Sequence, residues 1–443
     1  MSPNLSEWQF VNWRFEILEL IVSPTPMNIL RRLGQNGTVL VLAIILVHSG
    51  LWILGSTIES DAMGDILFAY EPWVNALHAG GKWGGINAEW VYPFVAWVPL
   101  LIAKLMFFTD YKSAWVLMAC TLNVFALGQI VGWGRRLQNY KVVWYFLGFI
   151  VLLGPVAISR LDGISVSLAL FGVASLQLVA NQVDSIERVV LRTDRALILL
   201  TIAAWMKVWT VALVLGLLKT KETFRRQLLV LTVTCGAIIG TAALLGANVN
   251  LFSFLWFQSN RGLQIESPVA NFWIWLATFK TGDAVIYFDY PLITWQVSGP
   301  ASEIASTLTL SAMLVAIYIT AMLIWNGNKA GVSATRLASL GGLTATLDLI
   351  VFNKVGSPQY QLWLAVPVAM GLYFGLENWR VPVVATLLLA VLSQLIYPIM
   401  YTQLIKAEPP SVSVLTARNL VLIALLVWSN LELGKRPKTE LAV

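Results

Sequence analysis

The amino-acid sequence predicts an all-α polytopic membrane protein, and three observations carry that expectation. Only 12% of the 443 residues are charged, against roughly 25% in a soluble globular domain. Mean hydropathy is +0.74. Apolar runs approaching the roughly 20 residues of a bilayer-crossing helix recur along the chain. Too little polar surface is left to face water, so lipid must solvate most of the molecule. The 20 Trp and 12 Tyr suit a long membrane–water perimeter, where both rings favour the headgroup level.

About twelve helical spans are expected, at 37–55, 112–132, 142–158, 163–180, 196–206, 208–219, 227–247, 305–325, 335–352, 359–376, 381–399 and 413–432. The pair flanking Lys207 is short and reads as two half-length helices; a single span over 196–218 is the simpler alternative. The apolar but short segment 92–108 opens with Tyr92-Pro93 and is expected to lie in the interface as a helix. Together these make one transmembrane domain over 1–443. An amphipathic stretch over 1–36 and a basic tail over 433–443 face the cytoplasm, and 56–111 and 248–304 form long outer segments.

Charge placement sets the orientation. Short loops rich in basic residues (Arg135, Arg136 and Lys141; Arg188, Arg192 and Arg195; Lys219, Lys221, Arg225 and Arg226) fall on one side, with Arg14, Arg31, Arg32, Lys435, Arg436 and Lys438 at the ends. Positive loops stay inside, so both termini are expected in the cytoplasm. The formal charge of +6 is therefore topological and implies no nucleic-acid partner. No cleavable signal peptide is expected, because the first 36 residues lack an apolar core ending in a small-residue cleavage site. Cys120 and Cys235 lie in apolar runs and read as buried thiols. With His48 and His78 the only histidines, a histidine-rich metal centre is not expected.

Five polar clusters interrupt the apolar pattern, all on the outer side. The first runs Asp61-Ala-Met-Gly-Asp65 to Tyr70-Glu71-Pro72-Trp73. A carboxylate just beyond a membrane helix can serve as a general base toward a hydroxyl, and Asp equally suits a helix start. Arg160-Leu-Asp162 sits in a tight turn, as an ion pair or as ligand-holding groups. Lys207, between Trp205 and Trp209, either snorkels to the interface or holds an anionic headgroup. The stretch from Gln258 to Ser267 brings Arg261, Gln264 and Glu266 into a Trp-rich loop. Asn353 to Tyr360 supplies Lys354 and Gln359 in a turn that Ser357 and Pro358 would fit as a helix start. Arg160, Lys207, Arg261 and Lys354 thus share one side of the membrane, as a lipid-linked phosphate requires. There is no Gly-rich phosphate loop, zinc signature or Ser-His-Asp set.

These motifs, in this order, resemble the polytopic glycosyltransferases of the GT-C superfamily. The nearest likeness is to glycosyltransferase family eighty-seven, polyprenyl-phosphate-mannose-dependent mannosyltransferases of actinobacteria. The likeness lies in Gly64-Asp65 with Tyr70, Tyr92-Pro93, Arg160-Leu-Asp162, Lys207-Val-Trp209, Arg261-Gly-Leu-Gln264-Ile-Glu266-Ser267 and Lys354-Val-Gly-Ser357-Pro358-Gln359-Tyr360. It spans about 37–432. Where that family commonly carries Tyr-Pro-Pro, this chain has Tyr92-Pro93-Phe94.

The resemblance implies a GT-C-type fold in the bacterial plasma membrane. It also implies transfer of a sugar, mannose or a pentose, from a polyprenyl-phosphate donor to a glycolipid or lipoglycan acceptor at the extracytoplasmic face. No nucleotide sugar is needed and no metal or other cofactor is expected. Asp65 carries over as catalytic base, with Asp61 and Glu71 as competitors. Arg261, Lys207, Lys354 and Arg160 would hold the donor phosphate. Tyr70, Tyr92, Asp162, Gln264, Glu266, Gln359 and Tyr360 would line the substrate site. The competing expectation is a secondary transporter or lipid-carrier flippase, which needs ionisable groups inside spans; Asp348 is the one acid clearly placed there. A non-catalytic scaffold on the same fold is a third reading, and the acid at position 65 argues against it.

Overall fold

The computed structural model describes residues 34–436 apart from 58–60, 107–108, 184–185, 219–222, 258–260 and 291. The amphipathic N-terminal stretch and the last residues of the basic tail, both expected in the cytoplasm, lie outside the described residues, as do Lys219 and Lys221.

A helix occupies each stretch in which a span was expected. These are α1 (Gly37–Thr57), α2 (Tyr111–Ile130), α3 (Tyr140–Leu153), α4 (Leu161–Ala174), α5 (Asp194–Ala204), α6 (Val211–Leu217), α7 (Phe224–Leu244), α8 (Ser302–Lys329), α9 (Ala334–Val351), α10 (Gln361–Tyr373), α11 (Arg380–Gln394) and α12 (Pro409–Gly434). Among the described residues, 6 helices are long and apolar enough to cross a membrane: α1, α2, α7, α8, the Arg380–Ile399 stretch that includes α11, and α12.

Burial explains the difference. In α7 only 11% of the most apolar window is buried, and in α2 67% is. Leu228, Leu229 and Val233 on α7, and Leu308, Leu310, Leu314 and Val315 on α8, stand exposed, as on lipid-facing helices. By contrast α9 and α10 are buried on nearly every face. A helix wrapped by protein can be short, or carry Thr344, Thr346 and Asp348, without exposing them to lipid. Small residues permit close approach between α6 and α9. A Cβ on Gly216 would stand 2.6 Å from the Ala338 carbonyl oxygen and 2.7 Å from the Gly342 nitrogen.

The chain breaks between α5 and α6 as expected. Lys207 is extended at φ −152°, and a 3₁₀ turn over Val208–Thr210 follows, so no single span runs through 196–218. Segment 92–108 forms a 3₁₀ turn at Phe94–Ala96 and a helix at Trp97–Leu105.

Two small antiparallel sheets correct the purely helical expectation. Strands β1 (Gln177–Val183) and β2 (Ile186–Arg192) form a hairpin. The span expected over 163–180 therefore ends at Ala174, and its last residues turn into strand. In the long segment 248–304, β3 (Leu263–Gln264), β4 (Val285–Asp289) and β5 (Thr294–Ser298) pair in the order β3-β5-β4.

Candidate functional site

The start of α4 gathers three of the sequence clusters. Arg160, extended at φ −113° and ψ 154°, precedes the helix, and Asp162 lies in its first turn. The first N–H groups of a helix lack intrahelical acceptors. Here the Leu161 N–H donates to the Tyr70 hydroxyl at 3.2 Å, and that hydroxyl donates to Asp65 Oδ2 at 3.5 Å. Tyr70 closes a π-helical turn, Ile66–Tyr70, that runs into the helix Glu71–His78. Such turns recur at functional sites because they re-aim side chains. Tyr70 is fully buried, its ring 4.7 Å from that of Trp115, so Asp65 is delivered on a rigid support.

Asp65 forms an ion pair with Arg160, whose side chain is 7% exposed against 36% for Asp65. Arg160 Nη2 also donates to the Tyr397 hydroxyl at 3.3 Å. Asp162, nearly inaccessible, pairs with Lys207 Nζ at 3.4 Å and accepts from Trp363 Nε1 at 2.6 Å. Lys207 Nζ stands 4.7 Å from the centre of the Tyr92 ring, a cation–π distance. Lys207 does not snorkel away from the protein; it is held between a carboxylate and an aromatic face.

The last two clusters dock on each other. The Gln264 N–H donates to the Lys354 carbonyl at 3.0 Å, and the Gly356 N–H donates to Gln264 Oε1 at 3.1 Å. Ser267 Oγ donates to the Asn353 carbonyl at 2.6 Å. Gly356 is required by this contact: a Cβ there would stand 2.1 Å from the Ser267 nitrogen. The docking brings Arg261 and Lys354 together. Burial and the Arg261 charge hold the Lys354 ammonium below the usual lysine range, and burial lowers Arg261 likewise.

Arg261 also acts on the Tyr92 and Tyr360 hydroxyls, and Asp162 acts on both in the opposite sense. Burial, then the Asp162 charge, pushes both hydroxyls well above the ordinary phenol range, so both stay protonated. Tyr360 stacks on Trp363 at 4.1 Å between ring centres, and Trp363 on Trp209 at 5.8 Å. Residues from five separate stretches of chain thereby share one electrostatic neighbourhood. Arg160 Nε and Arg261 Nε are buried without a hydrogen-bond partner, so two guanidinium donors are left for an anion.

Other expected site residues have structural partners. Gln264 spends its amide oxygen on Gly356. Glu266 pairs with Arg418 at 2.7 Å, with side-chain exposures of 4% and 2%, and Arg418 bonds the Glu266 carbonyl as well. Gln359 is half-buried in the Pro358–Tyr360 turn. Glu71 bears on the Tyr111 hydroxyl, and the side chain of Asp61 lies outside the described residues. Arg418 was not singled out in the sequence, although an arginine inside an apolar run is itself a signal that a buried partner exists.

Among the described residues no group of three or more His, Cys, Asp or Glu is assembled that could hold a metal ion. His48 Nδ1 and His78 Nδ1 each bond a carbonyl of their own helix, at 2.7 and 2.9 Å. No family model, curated protein or solved structure matches the chain. The fold and the site define a predominantly helical protein with 6 helices, among the described residues, long and apolar enough to cross a membrane, and with a cation-rich cluster beside two carboxylates.

Proposed function

We propose that the chain is a membrane glycosyltransferase. On this reading it moves a sugar, mannose by resemblance, from a polyprenyl-phosphate donor to a glycolipid or lipoglycan acceptor. The reaction occurs at the extracytoplasmic face of the plasma membrane, with about a dozen spans and both termini cytoplasmic. The observation that carries the reading is a chain of charges: Arg160 pairs with Asp65 and Lys207 with Asp162, Arg261 and Asp162 act on the same two tyrosines, and Lys354 feels Arg261, with two buried guanidinium N–H groups unsatisfied by protein. Buried cations in such number require an anion, and a phosphate with several acceptor oxygens fits fork-shaped donors.

Asp65, the more open carboxylate, takes the proton of the acceptor hydroxyl. The acceptor oxygen bonds to the anomeric carbon as the bond from that carbon to the phosphate oxygen breaks. The electron pair leaves with the polyprenyl phosphate, whose growing charge the cations stabilise. A single displacement inverts the anomeric centre. No step calls on a metal or a nucleotide.

One observation favours a second reading, a secondary transporter or lipid-carrier flippase. Asp348 is buried within α9 and accepts from Thr320 Oγ1 at 2.6 Å, which fits an ionisable group inside a span. The deciding experiment measures sugar transfer by detergent-purified protein from synthetic polyprenyl-phosphate-mannose to membrane lipid acceptors. Transfer by wild type that is lost in a folded Asp65→Asn variant supports the glycosyltransferase and its base. Transfer surviving in the variant moves the base to Asp61 or Glu71. Absence of transfer from any polyprenyl-phosphate sugar, with lipid or solute movement in proteoliposomes, replaces the enzyme with the transporter.

A further inference from the structure

Strand β5 carries a buried amide that is fully used inside the protein. Gln296 is 0% exposed. Its Oε1 accepts from the Gly262 N–H and from the Tyr287 hydroxyl, both at 3.0 Å. Its Nε2 donates to Asp289 Oδ2 at 2.9 Å and to Thr294 Oγ1 at 3.4 Å. Both donors and both acceptor sites of the amide are taken, so Gln296 holds protein and not ligand.

In the sheet Gln296 lies opposite Gln264 on β3 and Tyr287 on β4, and directly opposed residues share one face. Gln264 on that row accepts from the Gly356 N–H in the loop of Lys354, as Gln296 does from the Gly262 N–H beside Arg261. One polar row therefore seats both cation-bearing loops. The peptide unit between Arg261 and Gly262 is held at both ends, since the Arg261 carbonyl accepts from Ser306 Oγ on α8 at 3.2 Å. A Cβ on Gly262 would stand 2.3 Å from Gln296 Oε1, so the glycine leaves room for the amide. Beyond this clamp, Arg261 Nε is buried with no acceptor.

We propose that Gln296 and Ser306 are positioning residues for phosphate binding: by clamping the Arg261–Gly262 peptide between β5 and α8 they fix where the Arg261 guanidinium meets the anion. The inference rests on the glycosyltransferase reading and names what aims one of its cations. A peptide plane fixed by two bonds leaves the arginine only its side-chain rotamers to search, so less entropy is lost when the guanidinium pairs with an oxyanion. Gln296 also holds Asp289, whose charge acts on Arg261, so one amide sets both the guanidinium and a carboxylate that bears on it.

The test is binding of citronellyl phosphate, a short prenyl phosphate, to the full-length detergent-purified protein by calorimetry. Gln296→Met and Ser306→Ala are each compared in the wild-type background and in Arg261→Gln, which retains Arg160, Lys207 and Lys354. Where Arg261 is present, Gln296→Met is expected to weaken binding about tenfold and Ser306→Ala about threefold; where it is absent, neither changes affinity by more than about twofold. Should Gln296→Met fail to fold, Ser306→Ala, which removes only a hydroxyl from a helix, makes the same comparison. The same loss with inorganic phosphate shows that Arg261 acts on the phosphate group itself. A loss confined to citronellyl phosphate shows that the prenyl chain delivers that group to it; both results uphold the clamp.

A loss of equal size in both backgrounds overturns the proposal, because Gln296 and Ser306 then serve the fold at large. Unchanged affinity in the wild-type background overturns it as well. Either failure, with citronellyl phosphate still bound by wild type, leaves the glycosyltransferase reading standing, whereas no binding by wild type removes both.

Discussion

Replacing Arg418 with Gln removes the partner of Glu266, a carboxylate 4% exposed on the segment that carries Arg261. Leaving one member of a buried ion pair uncompensated costs about 3–5 kcal/mol. Protonation of Glu266 caps that loss. Burial already holds this carboxyl above the usual carboxylate range, with Arg418 pulling the other way, so without Arg418 it rises further. A carboxyl raised in the folded state binds its proton more readily there than in the unfolded chain. Stability therefore falls as pH climbs from the ordinary carboxylate range to the raised value, by about 1.4 kcal/mol per pH unit. The Arg418→Gln penalty should thus be smaller at pH 6 than at pH 8.

The melting midpoint in detergent at both pH values reads this. Hydrogen exchange across 263–267 and 353–356 reads whether the docked loops loosen with it. Adding Glu266→Gln to Arg418→Gln should restore most of the midpoint at pH 8. A penalty equal at pH 6 and 8, or a double variant as unstable as the sum of its parts, refutes the argument.

Two further predictions concern the docked loops. Phosphate binding favours the charged form of Lys354, which burial and Arg261 hold below the usual lysine range. Above the second phosphate pKa of about 6, citronellyl phosphate affinity should therefore level off and then fall by up to about tenfold per pH unit once pH passes that lowered value; Lys354→Arg should show no such fall up to pH 10. Gly356→Ala drives a Cβ to 2.1 Å from the Ser267 nitrogen and 2.3 Å from the Glu266 carbonyl carbon. Both are backbone atoms, so the loops must part, at about 1–3 kcal/mol of stability. The expected outcome is a lower midpoint with weaker phosphate binding, and an unchanged midpoint contradicts the docking.

What the sequence made legible was local. Long apolar runs announced α7 and α8 because lipid-facing helices must be apolar all round. The break at Lys207 was legible because a lysine between half-length apolar runs marks a helix that cannot continue unpaired. The five polar clusters stood out for the same reason. Their partnerships did not, because they join residues far apart: Glu266 and Arg418 are 152 positions apart, and Asp162 and Trp363 are 201 apart. The strands escaped because β3 is two residues long and the run entering β1 continues the apolar pattern of α4. Gly356 looked like a turn glycine, whereas its role is to admit another segment's backbone.

Charge balance gives the proposed chemistry its last constraint. The cations Arg160, Lys207, Arg261 and Lys354 face Asp65, Asp162 and Asp289, the last acting on Arg261 from β4. Glu266 is matched by Arg418 and drops out. The cluster then carries one positive charge in excess, equal and opposite to a phosphodiester donor. When Asp65 takes the acceptor proton the excess grows by one, and the leaving polyprenyl phosphate gains the same charge. On this count the site is neutral at both ends of the reaction, which a partly buried, low-dielectric setting favours.

Asp65→Asn fixes the protein in the charge state of the product complex. It should therefore tighten the dianionic citronellyl phosphate more than its monoanionic methyl ester at pH 8, above the second phosphate pKa of about 6. Competition binding of the two ligands to wild type and variant measures the difference. An equal gain for both would mean that the cations do not distinguish leaving group from donor, and that their placement serves binding without serving the transfer step.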